Sequence, residues 1–417
     1  MKRSILSILI FFTLAVSYSY SQTSPELQAK WDKENAVHEN PLLENRPNKL
    51  PDRVLITPLS SNNDELTFTW RTDTTITKGR LEIIQGDAYS FPDKNKKVTD
   101  SYHQVIKSKD FSMHYHKAVV KGLQPEKIYK YRVGDSPNWS PWFTYKHNNF
   151  KDTVSLLYFG DVQNGIYRHT TKIFKEAVKK FENSKLAIFT GDIIAHANND
   201  YEWAEWHVAT HDVKTTIPVI ATPGNHEYSR DLERNKTLSD FWKTTFSYPY
   251  IYEMGNYYLD YGFVRFVVLN SNEDAKKQGI WLDSLLSQTK QDWVIIATHY
   301  PIFSGAKGRT NTWLQEQWLP IYEKYKHKIG IVLQGHDHTY ARGGLLNRTG
   351  TPSQPSSPVF VMSFVGEKRY ELAKQDWMDV AYPDISTYQY IEITKNKISY
   401  KSFSETNTLI DHFEIVK

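Results

Sequence analysis

The stretch Ile329-Gly330-Ile331-Val332-Leu333-Gln334-Gly335-His336-Asp337-His338 joins an apolar run to two histidines that are separated by one residue. A second stretch, Val219-Ile220-Ala221-Thr222-Pro223-Gly224-Asn225-His226-Glu227, has a similar design. A short apolar run that ends in turn residues predicts a buried strand. In open α/β sheets, ligands bind beyond the carboxyl ends of the strands, because the loops there converge on one crevice. The two stretches therefore predict polar side chains that meet at the edge of an α/β sheet.

Three further strand ends carry side chains that can bind a metal. They are Asp161 after residues 154–159, Asp192 after residues 186–189 and His299 after residues 294–297. Taken alone, a Gly-Asp pair is a turn signal and a single His is usually a hydrogen-bonded core or loop residue. Five such strand ends together point to a shared metal site. Oxygen and imidazole donors without any thiolate favour Zn, Fe or Mn ions.

The order Gly-Asp, Gly-Asp, Gly-Asn-His-Glu, a strand-terminal His and Gly-His-Asp-His resembles the calcineurin-like metallophosphoesterase superfamily. The match covers the C-terminal part of the chain, roughly two thirds of it. The resemblance implies a catalytic centre with two metal ions, at positions that we call site one and site two. Site one would be formed by Asp161, Asp192 and His338, and site two by Asp192, Asn225, His299 and His336, so that Asp192 bridges the ions.

The resemblance also implies a mechanism of phosphoester hydrolysis. Two ions about 3.5 to 4 Å apart can share a hydroxide whose pKa lies far below that of bulk water. That hydroxide would attack phosphorus opposite the ester oxygen, while the ions neutralise the phosphoryl oxygens. His226 is predicted to face the substrate and to assist the transition state or protonate the leaving group. A structural role beside the ligands is the alternative for His226.

Two positions depart from the patterns of the superfamily. Purple acid phosphatases carry a tyrosine three residues after the second-motif aspartate, where its phenolate binds the ferric ion, but this chain has Ala195. Other members carry a histidine two residues after the first aspartate, where this chain has Gln163. Gln163 could bind through its amide oxygen, His196 could turn inward, or water could complete site one. We favour Gln163 with water, because its position matches a ligand position elsewhere in the superfamily. His196 would need a backbone adjustment, since neighbouring side chains in an extended segment point apart. The expected site-one metal is labile and colourless: Zn, Mn or Fe(II).

The N-terminal third has a different texture. Alternating apolar and polar residues in segments 53–57, 66–70 and 79–84 predict short antiparallel strands. Gly122-Leu123-Gln124-Pro125 followed by Tyr129-Lys130-Tyr131-Arg132-Val133 resembles fibronectin type III-like sandwiches, in which a late-strand tyrosine anchors the preceding corner. A β-sandwich ahead of a metallophosphoesterase domain resembles the layout of purple acid phosphatases. We expect scaffolding and no chemistry from this domain.

From residue 153 onward, helical patterns alternate with strands. Helices are predicted over residues 167–181, 201–213, 279–286 and 313–325, two strands joined at Tyr261-Gly262, and a terminal β-meander from residue 388. The predicted fold class is α/β (α+β): an N-terminal β-sandwich followed by a four-layer αββα metallophosphoesterase sandwich. The predicted domains are a signal peptide (1–21), an extended lead (22–51), the fibronectin type III-like sandwich (52–148) and the catalytic domain (152–417).

The N-terminus predicts export. Lys2 and Arg3, the apolar run of residues 5–16 and the small residues Ser19 and Ser21 are typical of a cleaved signal peptide. That run is shorter than the roughly 20 residues that span a bilayer, so we expect no stable membrane insertion after cleavage. The chain has no cysteine, so neither disulfides nor a lipoprotein anchor are expected. The predicted location is secreted or periplasmic.

The charge balance argues against nucleic acid. The formal net charge is +4 and falls to +2 when Lys2 and Arg3 leave with the signal peptide, too little for a basic binding surface. The expected partner is a small phosphorylated substrate, and the oligomeric state is open. Phosphomonoesters are the first expectation, with phosphodiesters or nucleotides as alternatives. A catalytically weak protein that binds phosphate or glycans is the hypothesis from another class.

A few polar residues outside the ligand set are candidates for binding substrate or supporting the ligands. Arg309 or Arg342 could bind a substrate phosphate through two hydrogen bonds, although a plain surface charge is an equal alternative for each. Asp337 is expected to face solvent or to support the ligands, and Glu227 to lie on the same rim. His207 and His211 have the spacing of a helical metal pair, but Val208 stands where zinc-protease motifs have glutamate, which favours a helix-surface pair.

Overall fold

The computed structural model describes residues 45–61, 64–86, 96–230, 235–251 and 255–417. The predicted signal peptide and most of the predicted lead lie outside these residues. The four domain boundaries stay predictions. Within the described residues, no helix combines the length and apolar character that crossing a bilayer requires.

The N-terminal domain is a β-sandwich of nine strands among the described residues. Their bounds are β1 Asp52–Pro58, β2 Glu65–Asp73, β3 Arg80–Gln85, β4 Lys96–Asp100, β5 Tyr102–Lys107, β6 Ser112–Lys121, β7 Lys127–Asp135, β8 Asn138–Trp139 and β9 Phe143–His147. One sheet has the order β1-β2-β6-β5, and the other has the order β4-β3-β7-β8 with β9 also paired to β7. Between the sheets lies an apolar core that includes Phe68, Trp70 and Tyr131.

The corner before β7 is fixed as the sequence predicts. The hydroxyl of Tyr129, in β7, accepts a hydrogen bond from the backbone N–H of Gln124 at 2.8 Å. This contact ties the Gly122-to-Pro125 corner to the strand that follows it. The expectation that a late-strand tyrosine anchors this corner is confirmed.

The remaining chain builds an α/β domain around two sheets. Its strands are β10 Val154–Phe159, β11 Leu186–Phe189, β12 Val219–Ala221, β13 Tyr228–Arg230, β14 Lys236–Leu238, β15 Tyr257–Tyr261, β16 Val264–Val268, β17 Trp293–Ala297, β18 Ile329–Gln334, β19 Tyr340–Gly344, β20 Gly350–Thr351, β21 Gln354–Pro355, β22 Val359–Met362, β23 Met378–Tyr382, β24 Thr387–Ile393, β25 Lys397–Ser404 and β26 Leu409–Val416. Its α-helices are α1 Thr171–Lys180, α2 Asp200–Ala209, α3 His211–Lys214, α4 Asp240–Thr245, α5 Ala275–Gln288 and α6 Thr312–Lys324.

The first sheet has the order β12-β11-β10-β24-β25-β26. Strands β10, β11 and β12 are parallel, so their carboxyl ends lie at one edge. Strand β24 pairs antiparallel with β10, and β25 and β26 continue the sheet. The predicted terminal meander therefore exists and completes the sheet that carries Asp161.

The second sheet has the order β15-β16-β17-β18-β22-β19-β23. Strands β16, β17, β18 and β22 are parallel. The predicted strand pair around Tyr261-Gly262 corresponds to β15 and β16, which pair antiparallel across a turn where Gly262 has φ of 63°.

Neighbouring side chains along these strands pack into different apolar layers. In β16, Phe266 belongs to the cluster packed between the two sheets, whereas its neighbour Val267 belongs to the cluster under α5 and α6. The same division holds in β17 for Ile295 and Ile296. Strands buried on both faces require covering layers on both sides. The predicted sandwich followed by a mixed α/β domain is confirmed.

The expectation for His207 is wrong. His207 lies in α2 and is only 3% exposed, whereas its companion His211 is exposed. Helix α2 contacts strand β1 of the N-terminal sandwich, so it is covered on more than one side.

A buried ion pair joins the sandwich to the α/β domain. Nη1 of Arg53, in β1, lies 2.7 Å from Oδ1 of Asp200 at the start of α2, and both side chains are at most 5% exposed. Removing one partner of such a pair leaves an uncompensated charge, at about 3 to 5 kcal/mol. On the same interface, Nζ of Lys117 donates to the carbonyl of Lys243 at 2.9 Å. The sandwich is therefore fixed to the α/β domain by specific polar contacts.

Candidate metal centre

The predicted ligands converge where the parallel strands of both sheets end. Asp161, Asp192 and Asn225 follow β10, β11 and β12, His299 follows β17, and His336 and His338 follow β18. Ligand-type atoms of Asp192, His299 and His336 lie within 4.8 Å of one another, and so do those of Asp161, Asp192 and His338. The structure thus brings together the predicted residues of both sites, with Asp192 in common.

The motif glycines are required by close approach. A Cβ atom on Gly224 would overlap the carboxylate of Asp192, and a Cβ on Gly335 would overlap that of Asp161. Asp192 and His336 themselves adopt left-handed backbone conformations, with φ of 48° and 72°. Such strain in non-glycine residues is held only where the surrounding structure fixes it, as at functional sites.

The residues of site two face one another closely. Nε2 of His299 lies 3.1 Å from Oδ1 of Asn225, 3.2 Å from Oδ2 of Asp192 and 3.2 Å from Nδ1 of His336. On its other side, Nδ1 of His299 donates to the carbonyl of Thr190 at 2.8 Å. That bond leaves the lone pair of a neutral ring on Nε2, pointing into the cluster.

The residues of site one form a second cluster around the other side of Asp192. Nε2 of His338 lies 3.2 Å from Oδ2 of Asp161, while its Nδ1 donates to the carbonyl of Lys368 at 3.0 Å. The side-chain amide of Gln163 joins the cluster, with Nε2 at 3.2 Å from Asp192 Oδ2 and 3.1 Å from His338 Nε2. Gln163 therefore lies where the favoured compensation for Ala195 requires it.

The donor set fits cations. Oδ2 of Asp161 and Oε1 of Gln163 are buried without a hydrogen-bond partner among the described residues, and half a turn of the Gln163 amide would exchange its nitrogen and oxygen. Burial lowers the pKa of His299, but the carboxylates of Asp192 and Asp161 outweigh burial and raise it to about 9. The centre is therefore negative enough to favour positive charge. Carboxylate, imidazole and amide oxygens are ligands for Zn, Fe and Mn.

His226 lies beside the two clusters in a fixed orientation. Its Nδ1 donates to the carbonyl of Ala195 at 2.6 Å, and its backbone N–H donates to Oδ1 of Asp192 at 2.9 Å. Its Nε2 lies 4.0 Å from Oδ2 of Asp192. Ala195, which lacks the expected phenolate, therefore supplies the carbonyl that orients His226.

The alternative that His196 completes site one is not supported. Nδ1 of His196 lies 2.6 Å from Oε1 of the buried Glu202, and its backbone N–H donates to Oε2 of the same carboxylate at 2.7 Å. The N–H of Ala195 also donates to Glu202 Oε2, at 2.8 Å. Glu202 thus holds this segment in place, and the His196 ring faces the carboxylate of Glu202.

Two further carboxylates hold the loops: Glu227, which was expected on the rim, and Asp337, for which support of the ligands was one of two expectations. Glu227 is fully buried and accepts hydrogen bonds from the N–H groups of Asp192 and Ile193 at 2.8 Å and of Gly224 at 2.6 Å. Asp337 is also fully buried and accepts from the N–H of Gly305 at 3.0 Å. Neither lies on an exposed rim. Their signal was the motif itself, in which each stands within two residues of a predicted ligand.

Two tyrosines that carried no motif pack against the ligand histidines. The ring of Tyr300 lies 4.2 Å from that of His336, measured between centroids. The ring of Tyr370 lies 4.6 Å from that of His338. These contacts fix the planes of both imidazoles.

The two arginines proposed as substrate contacts have different surroundings. Arg342, in β19, is 1% exposed, and its Nε and Nη2 donate to the two oxygens of Asp411 at 2.5 and 2.8 Å. A guanidinium committed to a buried carboxylate is not available to a phosphate, so the expectation for Arg342 is wrong. Arg309 lies beside the centre, with Nη1 at 3.1 Å from Oδ1 of Asp337 and a side chain that is 36% exposed.

Two family models match this chain, each over a separate segment. Residues 154–340 match the model described as calcineurin-like phosphoesterase, and residues 51–147 match that of the purple acid phosphatase N-terminal domain. Together the two matches span about two thirds of the chain.

Curated relatives and a solved structure point the same way. Purple acid phosphatase 18 of Arabidopsis thaliana is 23% identical over 390 residues, which cover 89% of this chain and 81% of that protein. "Probable inactive purple acid phosphatase 1" of the same plant is 24% identical over 273 residues, 54% of this chain and 43% of that protein. The structure of a purple acid phosphatase from yellow lupin (Lupinus luteus) seeds superposes with a TM-score of 0.71 at 17% identity, covering 88% of this chain and 74% of that one. The last likeness concerns the fold.

Proposed function

Since the chain belongs to the calcineurin-like phosphoesterases and carries the N-terminal domain of purple acid phosphatases, we propose that it is an exported enzyme that hydrolyses phosphomonoesters with two metal ions. The observation that carries this proposal is the pair of donor clusters that share Asp192. A shared carboxylate is the arrangement that holds two ions close enough to act on one phosphoryl group.

The residues that would hold the ions are those of site one and site two, with Gln163 as an additional ligand of site one. When bound, the ions would supply Lewis acidity, neutralise phosphoryl charge and lower the pKa of a water molecule. Thr190 and Lys368 fix the outward nitrogens of His299 and His338 through their carbonyls. Each ring therefore presents Nε2 to the centre, and Asp161 and Asp192 provide the negative charge.

His226 is the residue we propose as catalytic. Because its Nδ1 is bonded to the carbonyl of Ala195, only Nε2 can reach a substrate. A protonated Nε2 would donate to the leaving oxygen or to a phosphoryl oxygen.

Metal analysis and a substrate panel test the proposal directly. Protein purified without added metal is expected to contain two ions of Zn, Mn or Fe per chain, and p-nitrophenyl phosphate to turn over faster than its bis ester or nucleotides. Faster turnover of the bis ester or of a nucleotide would favour the alternative, a phosphodiesterase or nucleotidase of this fold. An intense visible band from a phenolate–iron transition in native protein would overturn the colourless site one.

Two ligand variants test the two-metal mechanism. Asn225→Ala and His336→Ala are expected to lose most activity while remaining folded by circular dichroism. The matched control is His412→Ala, because His412 is exposed in β26, the edge strand of the first sheet at the opposite end from β12. Full turnover in folded Asn225→Ala and His336→Ala proteins would make the mechanism wrong.

A second candidate function is a phosphate- or glycan-binding protein that has lost catalysis. It is favoured by the absence of a phenolate at Ala195 and by the relative whose name describes it as inactive. No hydrolysis after reconstitution with Zn, Mn and Fe, combined with tight phosphate binding, would establish it. We also propose a secreted or periplasmic location and a small phosphorylated substrate, with no nucleic acid partner.

A further inference from the structure

Two loops are paired beside the candidate centre. The loop of residues 304–311 and the loop of residues 366–373, which we call the paired loops, are joined by backbone bonds. The N–H of Lys307 donates to the carbonyl of Glu371 at 2.9 Å, and that of Ala373 donates to the carbonyl of Gly305 at 2.8 Å. The N–H of Tyr370 also donates to the carbonyl of the site-one residue His338 at 3.2 Å.

The paired loops carry four cationic side chains with different surroundings: Lys307, Arg309, Lys368 and Arg369. Lys307 bridges the loops by bonding Glu371 at 2.6 Å, and both side chains are at least 65% exposed. Arg309 instead lies over the ring of Tyr370, with its central carbon 4.4 Å from the ring centroid. Lys368 lies farther over the same ring, with Nζ at 5.4 Å, and Arg369 pairs with Glu405 at 3.3 Å. Arg309 also hydrogen-bonds Asp337, which stands between the ligand histidines His336 and His338.

Two contacts fix the orientation of Arg309. Its Nη1 donates to Oδ1 of Asp337 at 3.1 Å and approaches the carbonyl of His336 at 3.5 Å. A guanidinium has five N–H groups, of which Nη1 carries two. The three others, on Nε and Nη2, make no hydrogen bond to the described residues and are available to a ligand.

The partner Asp337 does not cancel the charge of Arg309. Oδ2 of Asp337 accepts from the hydroxyl of Ser304 and from the N–H groups of Gly305 and Ala306 at 3.0 and 3.2 Å. These donors stabilise the negative charge on the oxygen remote from Arg309. The guanidinium therefore keeps positive potential on its partly exposed side.

We propose that Arg309, held by Asp337 and Tyr370, is the residue that makes this centre prefer phosphomonoesters to phosphodiesters. A monoester presents more negative charge than a diester and has one more non-bridging oxygen. A planar guanidinium can donate two hydrogen bonds to a pair of phosphoryl oxygens. Asp337 and Tyr370 are positioning residues, since they act through Arg309. This inference rests on the proposed function, because it concerns the substrate choice of the same centre.

The test compares two esters that share one leaving group. Values of kcat/KM for p-nitrophenyl phosphate and bis(p-nitrophenyl) phosphate are measured with full-length protein of verified metal content. Arg309→Gln is expected to lower the monoester value about 10- to 100-fold and the diester value less than about 3-fold. Arg309→Lys keeps the charge but loses the fork, so an intermediate loss is expected. Tyr370→Phe keeps the ring that lies under Arg309 and on His338, so monoester preference should change by less than about 2-fold.

Lys307→Gln is the matched control, because Lys307 is two residues away on the same loop but paired with the exposed Glu371. It should leave both values unchanged. Equal losses for both esters in Arg309→Gln, or no loss for either, would overturn the proposal.

Phosphate binding separates failure of this inference from failure of the proposed function. Inorganic phosphate should bind Arg309→Gln about 10-fold more weakly than the unmodified protein in calorimetry. If the unmodified protein hydrolyses neither ester, the proposed function fails, and unchanged phosphate affinity in Arg309→Gln would then overturn this inference separately.

Discussion

Site one and site two share Asp192 but differ in how they are completed. Site two has a second imidazole and an amide oxygen in addition to His299 and Asp192, and each comes from a separate motif. Site one has Asp161 and His338, and its further contact is the amide of Gln163. The difference teaches that the shared carboxylate and the loop geometry can be kept where Ala195 stands in place of the tyrosine that the purple acid phosphatase pattern leads one to expect. We expect site two to bind its ion more tightly.

Asp192→Asn is the change with the largest expected effect, because it removes the ligand that site one and site two share. Metal content should fall from two ions to less than one per chain, and kcat/KM should fall on the order of 1,000-fold. Elemental analysis and steady-state assays check this. Asp240→Asn, in the exposed first turn of α4, is the control. Retention of both ions by Asp192→Asn would show that the two sites are independent.

Removing one histidine from each site sharpens the comparison. His336→Ala should empty site two, and His338→Ala should empty site one, each leaving about one ion per chain. Each histidine also packs against one tyrosine ring, Tyr300 for His336 and Tyr370 for His338, so the two variants lose matched contacts besides the ligand. Metal titration by calorimetry measures the remaining site. A tighter remaining ion in His336→Ala than in His338→Ala would reverse the assigned order of affinities.

Glu227→Gln tests whether the backbone hydrogen bonds that Glu227 accepts support both metal sites. A glutamine can accept from some of the three N–H groups that Glu227 holds, but its own N–H₂ would face one of them. The expected losses are about 10- to 100-fold in metal affinity and about 1 to 3 kcal/mol in the free energy of unfolding. Chemical denaturation with and without metal measures both. Glu316→Gln, at an exposed position in α6, should change neither. A loss confined to one site would show that Glu227 does not support both sites.

Gln163 substitutions have the smallest expected effect and act on site one alone. Gln163→Leu should weaken the site-one ion by about 10-fold, and Gln163→Glu should strengthen it by supplying a carboxylate. Release of metal to a chelator should show two phases, with only the faster phase altered by these variants. An unchanged fast phase in both variants would remove Gln163 from the ligand set.

The sequence predicts the centre well because its information is local. Each candidate ligand follows an apolar strand in the chain, so strand order and motif spacing suffice to expect convergence. The corner at Tyr129 is local in the same sense. The parallel strands then bring the ends together, as the rule for α/β sheets requires.

The errors arose where a partner is distant in the chain. Arg342 lies 69 residues from Asp411, which reaches it only because the terminal strands join the first sheet. His207 was expected on a surface because helical periodicity cannot reveal that β1 of the sandwich covers the same helix. Glu227 and Asp337 stood inside the recognised motifs, but their bonds to backbone N–H groups depend on loop conformations that residue types do not specify.

The position of β24 beside β10 constrains the order in which the strands of the first sheet can pair. Strand β10, which leads to Asp161, is flanked by β11 on one side and by β24 on the other. Residues 389–393 must therefore be available before β10 gains its second neighbour. Contacts over such separations form late, since a long loop must close first. The strand that leads to Asp161 therefore keeps an open edge until β24 pairs with it, and we expect the candidate metal centre to be completed only after that pairing.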